Sequence, residues 1–296
     1  MSTPEAAPPL RSLLFVPADS ERKLAKAQHS GADALVLDLE DAVLPASKPA
    51  ARLALDAYLE RYDGAPELWV RVNDLASGET LADLKHAVSP RVCGIMLPKI
   101  RGPEDLVTIS TLLDMAEAFR ELPLGHTRVL AVCTETPIAV LRMAELASGT
   151  YPRLQGLLWG GEDLSAALGA AGPRGADGRW RPVYEQARSM CLMAAHALGV
   201  QAIDTVFVDF RDLDACRVNS EQGRADGFSG KIAIHPAQVA VVNEAFTPTA
   251  EEVEKAGRIV AAFESGEGAV SLDGQMLDLP HLKAARRVLS TAVREA

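Results

Sequence analysis

Eight short apolar runs, each bounded by turn residues, punctuate the first 236 residues. They are 11–17 (RSLLFVP), 34–40 (ALVLDLE), 67–73 (ELWVRVN), 94–100 (GIMLPKI), 127–135, 154–162, 202–209 (AIDTVFVD) and 230–236 (GKIAIHP). Unbroken hydrophobicity over so few residues predicts strands buried on both faces. Stretches of helical period lie between them, such as "SERKLAKAQHSG", "SKPAARLALDAYLERY" and "PEDLVTISTLLDMAEAF". Most strand starts fall about 23–33 residues apart, the length of one βα unit. This alternation predicts an α/β fold, a (β/α)₈ TIM barrel over residues 10–245, in preference to an open doubly wound sheet. No GxGxxG follows a strand and no GxxxxGK(S/T) occurs, which argues against dinucleotide and P-loop sites.

Three segments fall outside the repeat. Residues 1–9, "MSTPEAAPP", are polar and Pro-rich and read as a disordered tail. The long gap between the sixth and seventh strands holds "GAAGPRGADGRWRPVY", a βα-loop insertion around 172–182. After the barrel, 246–296 forms a C-terminal extension. It comprises a capped amphipathic helix ("TPTAEEVEKAGRIVAAFESG"), a hairpin turning at "LDGQ", and a last helix. Such an arm suits a lid, or a contact to a second subunit.

Composition narrows the partners. Hydrophobic residues at 48% and charged residues at 24% describe a globular chain with a large core. A net charge of −10 without a basic stripe argues against nucleic acid. No apolar run approaches the roughly 18 residues of a membrane span. The four cysteines, Cys93, Cys133, Cys191 and Cys216, lack metal-ligand spacing and read as free thiols of a reducing, cytoplasmic compartment.

Barrel chemistry gathers at the C-terminal strand ends. Here those ends carry Asp38, Glu40 and Asp41, Arg71 and Asn73, Lys99, Glu135, Glu162 and Asp163, Asp209, and His235. Two apolar runs joined by one helical crossover close on Glu135 and Asp163. Adjacent carboxylates of that kind are costly to bury unless a divalent cation compensates them, and hard oxygen ligands suit Mg²⁺, or Mn²⁺. The planar fork of Arg71 fits a substrate carboxylate or a developing oxyanion, and equally fits an ion pair with the "DLED" carboxylates. Asp38, Glu40 and Asp41 suit either catalysis or the support of Arg71 and metal-bound water. His235, just before a proline, suits a helix cap or an acid/base. Asp278, in the apolar "MLDLP", suits either a base under a closed lid or the N-cap of the last helix.

Taken together, "RSLLFVPADSERKLAKA", "GADALVLDLEDAV", "VRVN", "LPKI", "ETP", "GGEDLSAALG", "AIDTVFVDF", "GKIAIHPAQV" and "DGQMLDLP" resemble the CitE-like branch of the HpcH/HpaI aldolase/citrate lyase superfamily, over about residues 10–292. The resemblance implies a (β/α)₈ barrel and a Mg²⁺-dependent, reversible cleavage of a 3-hydroxyacyl-CoA thioester into an acyl-CoA and a 2-oxo acid. It implies Glu135 and Asp163 as metal ligands and Arg71 as substrate-binding, with Glu135 also facing the substrate. Glu40 and Asp41 sit at its catalytic positions, and Arg22 and Lys26 at positions that meet the CoA phosphates. Asp278 matches the acid/base that a neighbouring subunit's lid supplies, which implies a homo-oligomer, trimer or hexamer, exchanging lids. Two alternatives stay open: a citrate lyase β subunit-like protein acting on an acyl-carrier-protein thioester, and an aldolase of free 2-oxo acids. Against the latter, Asp41 stands where the free-acid enzymes carry a catalytic His.

Overall fold

The eight apolar runs pair in sequence order into one closed parallel barrel. The strands are β1 Ser12–Pro17, β2 Ala34–Asp38, β3 Glu67–Arg71, β4 Gly94–Leu97, β5 Arg128–Val132, β6 Leu154–Leu158, β7 Gln201–Asp204 and β8 Gly230–Ala233. Closure comes from β1 against β8, with Ser12 opposite Lys231 and Leu13 opposite Ile232. The computed structural model describes residues 9–176, 178–265 and 268–292. The tail predicted at 1–9 therefore lies, up to residue 8, outside the described residues.

Helices occupy each crossover: α1 Glu21–Ala27, α2 Lys48–Arg61, α3 Thr80–Ala87, α4 Pro103–Phe119, α5 Pro137–Leu141 and α6 Met143–Ala147. They continue with α7 Gly161–Ala167, α8 Pro182–Leu198, α9 Leu213–Asp226 and α10 Pro236–Phe246. Alternate strand residues fill the barrel interior, where Leu13, Val36, Trp69, Met96, Leu130, Leu158, Ile203 and Ile232 pack together. The intervening side chains face the helices, so both faces are dry and the strands read as continuous apolar runs.

The strands are shorter than their apolar runs. β5 stops at Val132, not Glu135, and β6 stops at Leu158, not Glu162. Leu39, Val72, Ile100, Cys133 and Thr134 lie beyond the ladders yet are 0–1% exposed. Hydrophobicity reports burial, and burial continues into the loops after pairing ends. Glu135 accordingly sits in the β5–α5 loop, and Asp163 in the first turn of α7 rather than at a strand end.

The chain divides into two compact units, Leu10–Asn243 and a second that begins at Glu244. The second contains α11 Ala250–Ala262, β9 Ala269–Leu272, β10 Gln275–Asp278 and α12 Leu279–Ala292. Thr249 and Glu252 close a reciprocal capping box on α11. The hairpin turns at Asp273 and Gly274, both with positive φ (49° and 76°), as a two-residue type I′ connection requires. Phe263, Val270, Leu277 and Leu282 form this unit's own small core.

Candidate active site

A cleft of about 640 Å³ opens at the C-terminal ends of the barrel strands. Apolar Phe15, Met96, Val132 and Leu158 form its floor, and Asp38, Asp41, Arg71, Glu135 and Asp163 line its wall. Arg22, Lys23 and Lys26 of α1 stand along one side.

Arg71 ends β3 and is clamped before any ligand arrives. Its Nε and Nη2 donate to Asp38 Oδ1 and Oδ2 at 2.8 and 2.6 Å, and its guanidinium lies 4.5 Å from the Phe15 ring centre. Asp38 is itself fixed, accepting from the Glu40 and Ala42 backbone N–H groups. Nη1 lies 3.0 Å from Glu40 Oε2 as an ion pair without hydrogen-bond geometry, and Oε2 has no other partner. Burial alone would lower the guanidinium pKa, but Asp38 and Glu40 raise it, so Arg71 stays charged. A bidentate carboxylate fork of this kind is the geometry that pins arginine in one rotamer.

Lys99 joins the two halves of the site. It adopts φ +52°, rare for a residue with a Cβ, and this aims its N–H at Glu135 Oε2, 2.6 Å away. Its ammonium reaches Glu40 Oε1 at 2.6 Å, Asp41 Oδ2 at 3.0 Å and Asp163 Oδ1 at 3.4 Å. Burial, then the nearby Asp163 and Glu40 carboxylates, push Glu135 up to about 8 against the pull of that N–H and of Arg71. Burial likewise carries Glu40 up to about 7, although Arg71 and Lys99 oppose it. The site is thus short of positive charge at Glu135.

The 160–163 turn completes the wall. Gly160 N–H donates to Thr134 Oγ1 at 2.9 Å, and a Cβ at Gly160 would stand 2.7 Å from Glu135 Cγ. Only glycine lets the turn approach that closely.

The HpcH/HpaI aldolase/citrate lyase profile matches residues 11–236, which span the barrel and its cleft. The chain belongs to that family. It is 36% identical to the mitochondrial citramalyl-CoA lyase of Rattus norvegicus over 308 residues, covering 97% of this chain and 88% of the relative. It is 36% identical to a (3S)-malyl-CoA thioesterase of Cereibacter sphaeroides over 292 residues, covering 96% and 95%. Among solved structures, CitE from Mycobacterium tuberculosis in complex with magnesium, acetoacetate and coenzyme A superposes with a TM-score of 0.78 at 34% identity, covering 96% of this chain and 98% of that one.

Within this HpcH/HpaI barrel, Arg22, Lys26, Asp41, Arg71, Glu135 and Asp163 meet at one cleft, with Glu40 directly behind Arg71 and Lys99. Asp278 lies in the other unit, as the last residue of β10 just before α12, with His281 Nδ1 2.6 Å from its Oδ1. His235 accepts from the Ala237 N–H and stacks on Phe210 (4.7 Å between ring centroids), as a helix-entry residue does. Asp209 lies well past the end of β7, is exposed, and ties its own loop through Arg211 N–H. The carboxylate that closes β7 is Asp204, fully buried. Lys99 is the residue whose importance the sequence pattern understated: a lysine after Leu-Pro gives no hint of a left-handed backbone. All four cysteines are free.

The donor set fits a hard divalent cation. Glu135 is 5% exposed, holds one hydrogen bond, and faces Asp163. Among the described residues no group of three or more His, Cys, Asp or Glu is arranged to hold a metal. A cation here would rest on two protein carboxylates, with water and substrate oxygens filling the shell, an arrangement Mg²⁺ commonly adopts.

Proposed function

We propose that this protein is a Mg²⁺-dependent carbon–carbon lyase that reversibly cleaves a 3-hydroxyacyl-CoA of the malyl-CoA or citramalyl-CoA type into an acyl-CoA and a 2-oxo acid. The observation that carries this reading is the buried Glu135, held by a single backbone donor beside Asp163, with a pre-clamped Arg71 in a cleft flanked by Arg22, Lys23 and Lys26. The named relatives, a citramalyl-CoA lyase and a malyl-CoA thioesterase, act on the same kind of ester.

Glu135 and Asp163 would hold the metal, which supplies Lewis acidity toward the 2-oxo acid when bound. Arg71 has its Nε–H and one Nη2–H committed to Asp38, which leaves the second Nη2–H and the Nη1 edge to donate to the substrate oxygen that gains charge as the C–C bond breaks. The three α1 cations suit the CoA phosphates. Phe15, Met96 and Val132 keep the reacting end dry, which strengthens every charge interaction there. Cleavage removes one proton from the 3-hydroxyl and returns one to the acyl carbon, so a single group that can take and give a proton suffices. Asp278 of a second copy of the chain fills that role. Glu40 and Asp41 are tied to Lys99, and Glu40 also pairs with Arg71. The working form is a homo-oligomer, trimer or hexamer, that exchanges C-terminal units. No helix among the described residues is long and apolar enough to cross a membrane, and four unpaired cysteines suit a reducing cytoplasm.

The test is cleavage of malyl-CoA and citramalyl-CoA, with Mg²⁺ or with EDTA, by wild type and Asp278→Asn. Activity that needs metal and falls at least about 100-fold in the variant is the expected result. Metal-dependent activity indifferent to the variant moves the base to Asp41. Inactivity on both esters turns the reading toward an acyl-carrier-protein thioester, as for a citrate lyase β subunit.

A further inference from the structure

Two of the three tryptophans stand against the 160–163 turn, and neither is explained by the chemistry above. Trp159 follows β6 directly and is 2% exposed. Its Nε1–H donates to Asp204 Oδ1 at 2.6 Å. Asp204 cannot swing away. Lys231 Nζ lies 3.4 Å from Oδ2, Arg188 Nε lies 3.4 Å from Oδ1, and the Thr205 N–H donates to Oδ1 at 3.0 Å. A buried carboxylate with two cations and a backbone donor is a rigid anchor for the indole.

Trp180 comes from the insertion between β6 and α8. Its ring meets Trp159 edge-on, with centroids 4.8 Å apart and planes at 70°. Arg174 covers its other side at 3.6 Å from the ring centre. The insertion is internally bonded: Arg174 Nη1 donates to Gly178 O, and Arg181 N–H to Pro173 O. A Cβ at Gly161 would stand 3.2 Å from both indoles. The turn is therefore wedged on one side by Thr134 and Glu135 and on the other by the tryptophan pair.

We propose that Trp180 is a positioning residue: seated on the Asp204-anchored Trp159, it presses the 160–163 turn into the one placement that presents Asp163 beside Glu135 for the cation. The insertion is then a built part of the site, and its sequence sets the metal affinity of the enzyme. This rests on the Mg²⁺ reading above.

The test is calorimetric titration of MgCl₂ alone into the metal-stripped full chain, for wild type, Trp180→Ala and Trp180→Phe. The Ala variant is expected to bind Mg²⁺ about tenfold more weakly, at the low end of what loss of an outer partner costs a metal site. The Phe variant keeps a ring on Trp159 and Gly161 and recovers most of that loss. Wild-type affinity in Trp180→Ala overturns the proposal alone, and so does an equal loss in Ala and Phe. A wild-type chain that binds no Mg²⁺ overturns the lyase reading and this proposal with it. Should Trp180→Ala lose its cooperative thermal transition, the same comparison is made between Trp180→Leu and Trp180→Phe, with the same outcomes.

Discussion

Glu117 and Glu135 are the same residue in equally dry surroundings, 0% and 5% exposed, and the protein holds them in opposite states. Glu117, at the end of α4, accepts from the Gly125 and Thr127 N–H groups and from both terminal nitrogens of Arg153. Burial alone would raise its pKa, but Arg153 and those backbone donors bring it down to about 2. Glu135 has one backbone donor, two carboxylate neighbours, and a pKa near 8. A satisfied buried carboxylate is a structural post. An unsatisfied one at a cleft is held in waiting for a ligand of positive charge.

That contrast can be broken first by substitution. Glu135→Gln should remove Mg²⁺ binding and cut cleavage by more than the roughly 10–100-fold typical of changes outside a metal's ligand set, while leaving the metal-free protein at least as stable. Glu117→Gln should do the reverse. It takes from Arg153 its buried carboxylate partner, leaving Asp114 and the Thr127 carbonyl, and costs about 1–3 kcal/mol in urea unfolding, with turnover per folded molecule unchanged. If Glu117→Gln abolished metal binding, or Glu135→Gln unfolded the chain, the two roles would be misassigned.

Lys99 sharpens the comparison from the cation's side. Lys99→Met keeps the N–H to Glu135 and deletes the ammonium between Glu40, Asp41 and Asp163. Turnover should fall about 10–100-fold while Mg²⁺ binds more tightly, because a competing charge 3.4 Å from Asp163 is gone. Turnover and affinity falling together would mean that the ammonium supports the carboxylate pair instead of competing for it.

The smallest effect is on pH dependence, and its signs are opposite at the two sites. Between its ordinary value of 4.5 and about 8, Glu135 binds a proton in the folded metal-free protein that the unfolded chain does not. Metal-free stability should therefore decline as pH rises through that window, and Glu135→Gln should reduce the decline to the share that Glu40, raised to about 7, contributes. Glu117 contributes stability that is fully present above about 4.5 and lost as pH falls toward 2, so Glu117→Gln should flatten the acid limb. Mg²⁺ must displace the Glu135 proton, so its apparent affinity should weaken by up to about tenfold per pH unit below 8. Thermal melts across pH 2–9 read the two stability slopes, and calorimetry across pH 6–9 reads the third.

Much of this was legible in the chain. The eight runs located every barrel strand, because burial on both faces writes itself as local hydrophobicity. Arg71, Glu135 and Asp163 stood out because charge directly after such a run needs a reason. Seven of the eight runs overshot their strands by two to five residues at the C-terminal end, mostly because loops over the barrel mouth are as dry as the strands. Asp209 was misplaced for a different reason: the apolar run "AIDTVFVD" continues past the ladder that ends at Asp204 into exposed residues such as Val208.

Alone, the sequence determined the secondary-structure alternation, the barrel, the family and the residue types at the mouth, all of which depend on neighbours within a few positions. Only the tertiary structure decided which carboxylates are satisfied and which are not. Glu117 and Glu135 differ through Arg153, Lys99, Asp163 and Glu40, partners 36, 36, 28 and 95 positions away. Asp204 and Trp159 likewise meet across β6 and β7. A carboxylate's charge state is set by the donors and charges that surround it in space, and no local pattern in the chain encodes that inventory.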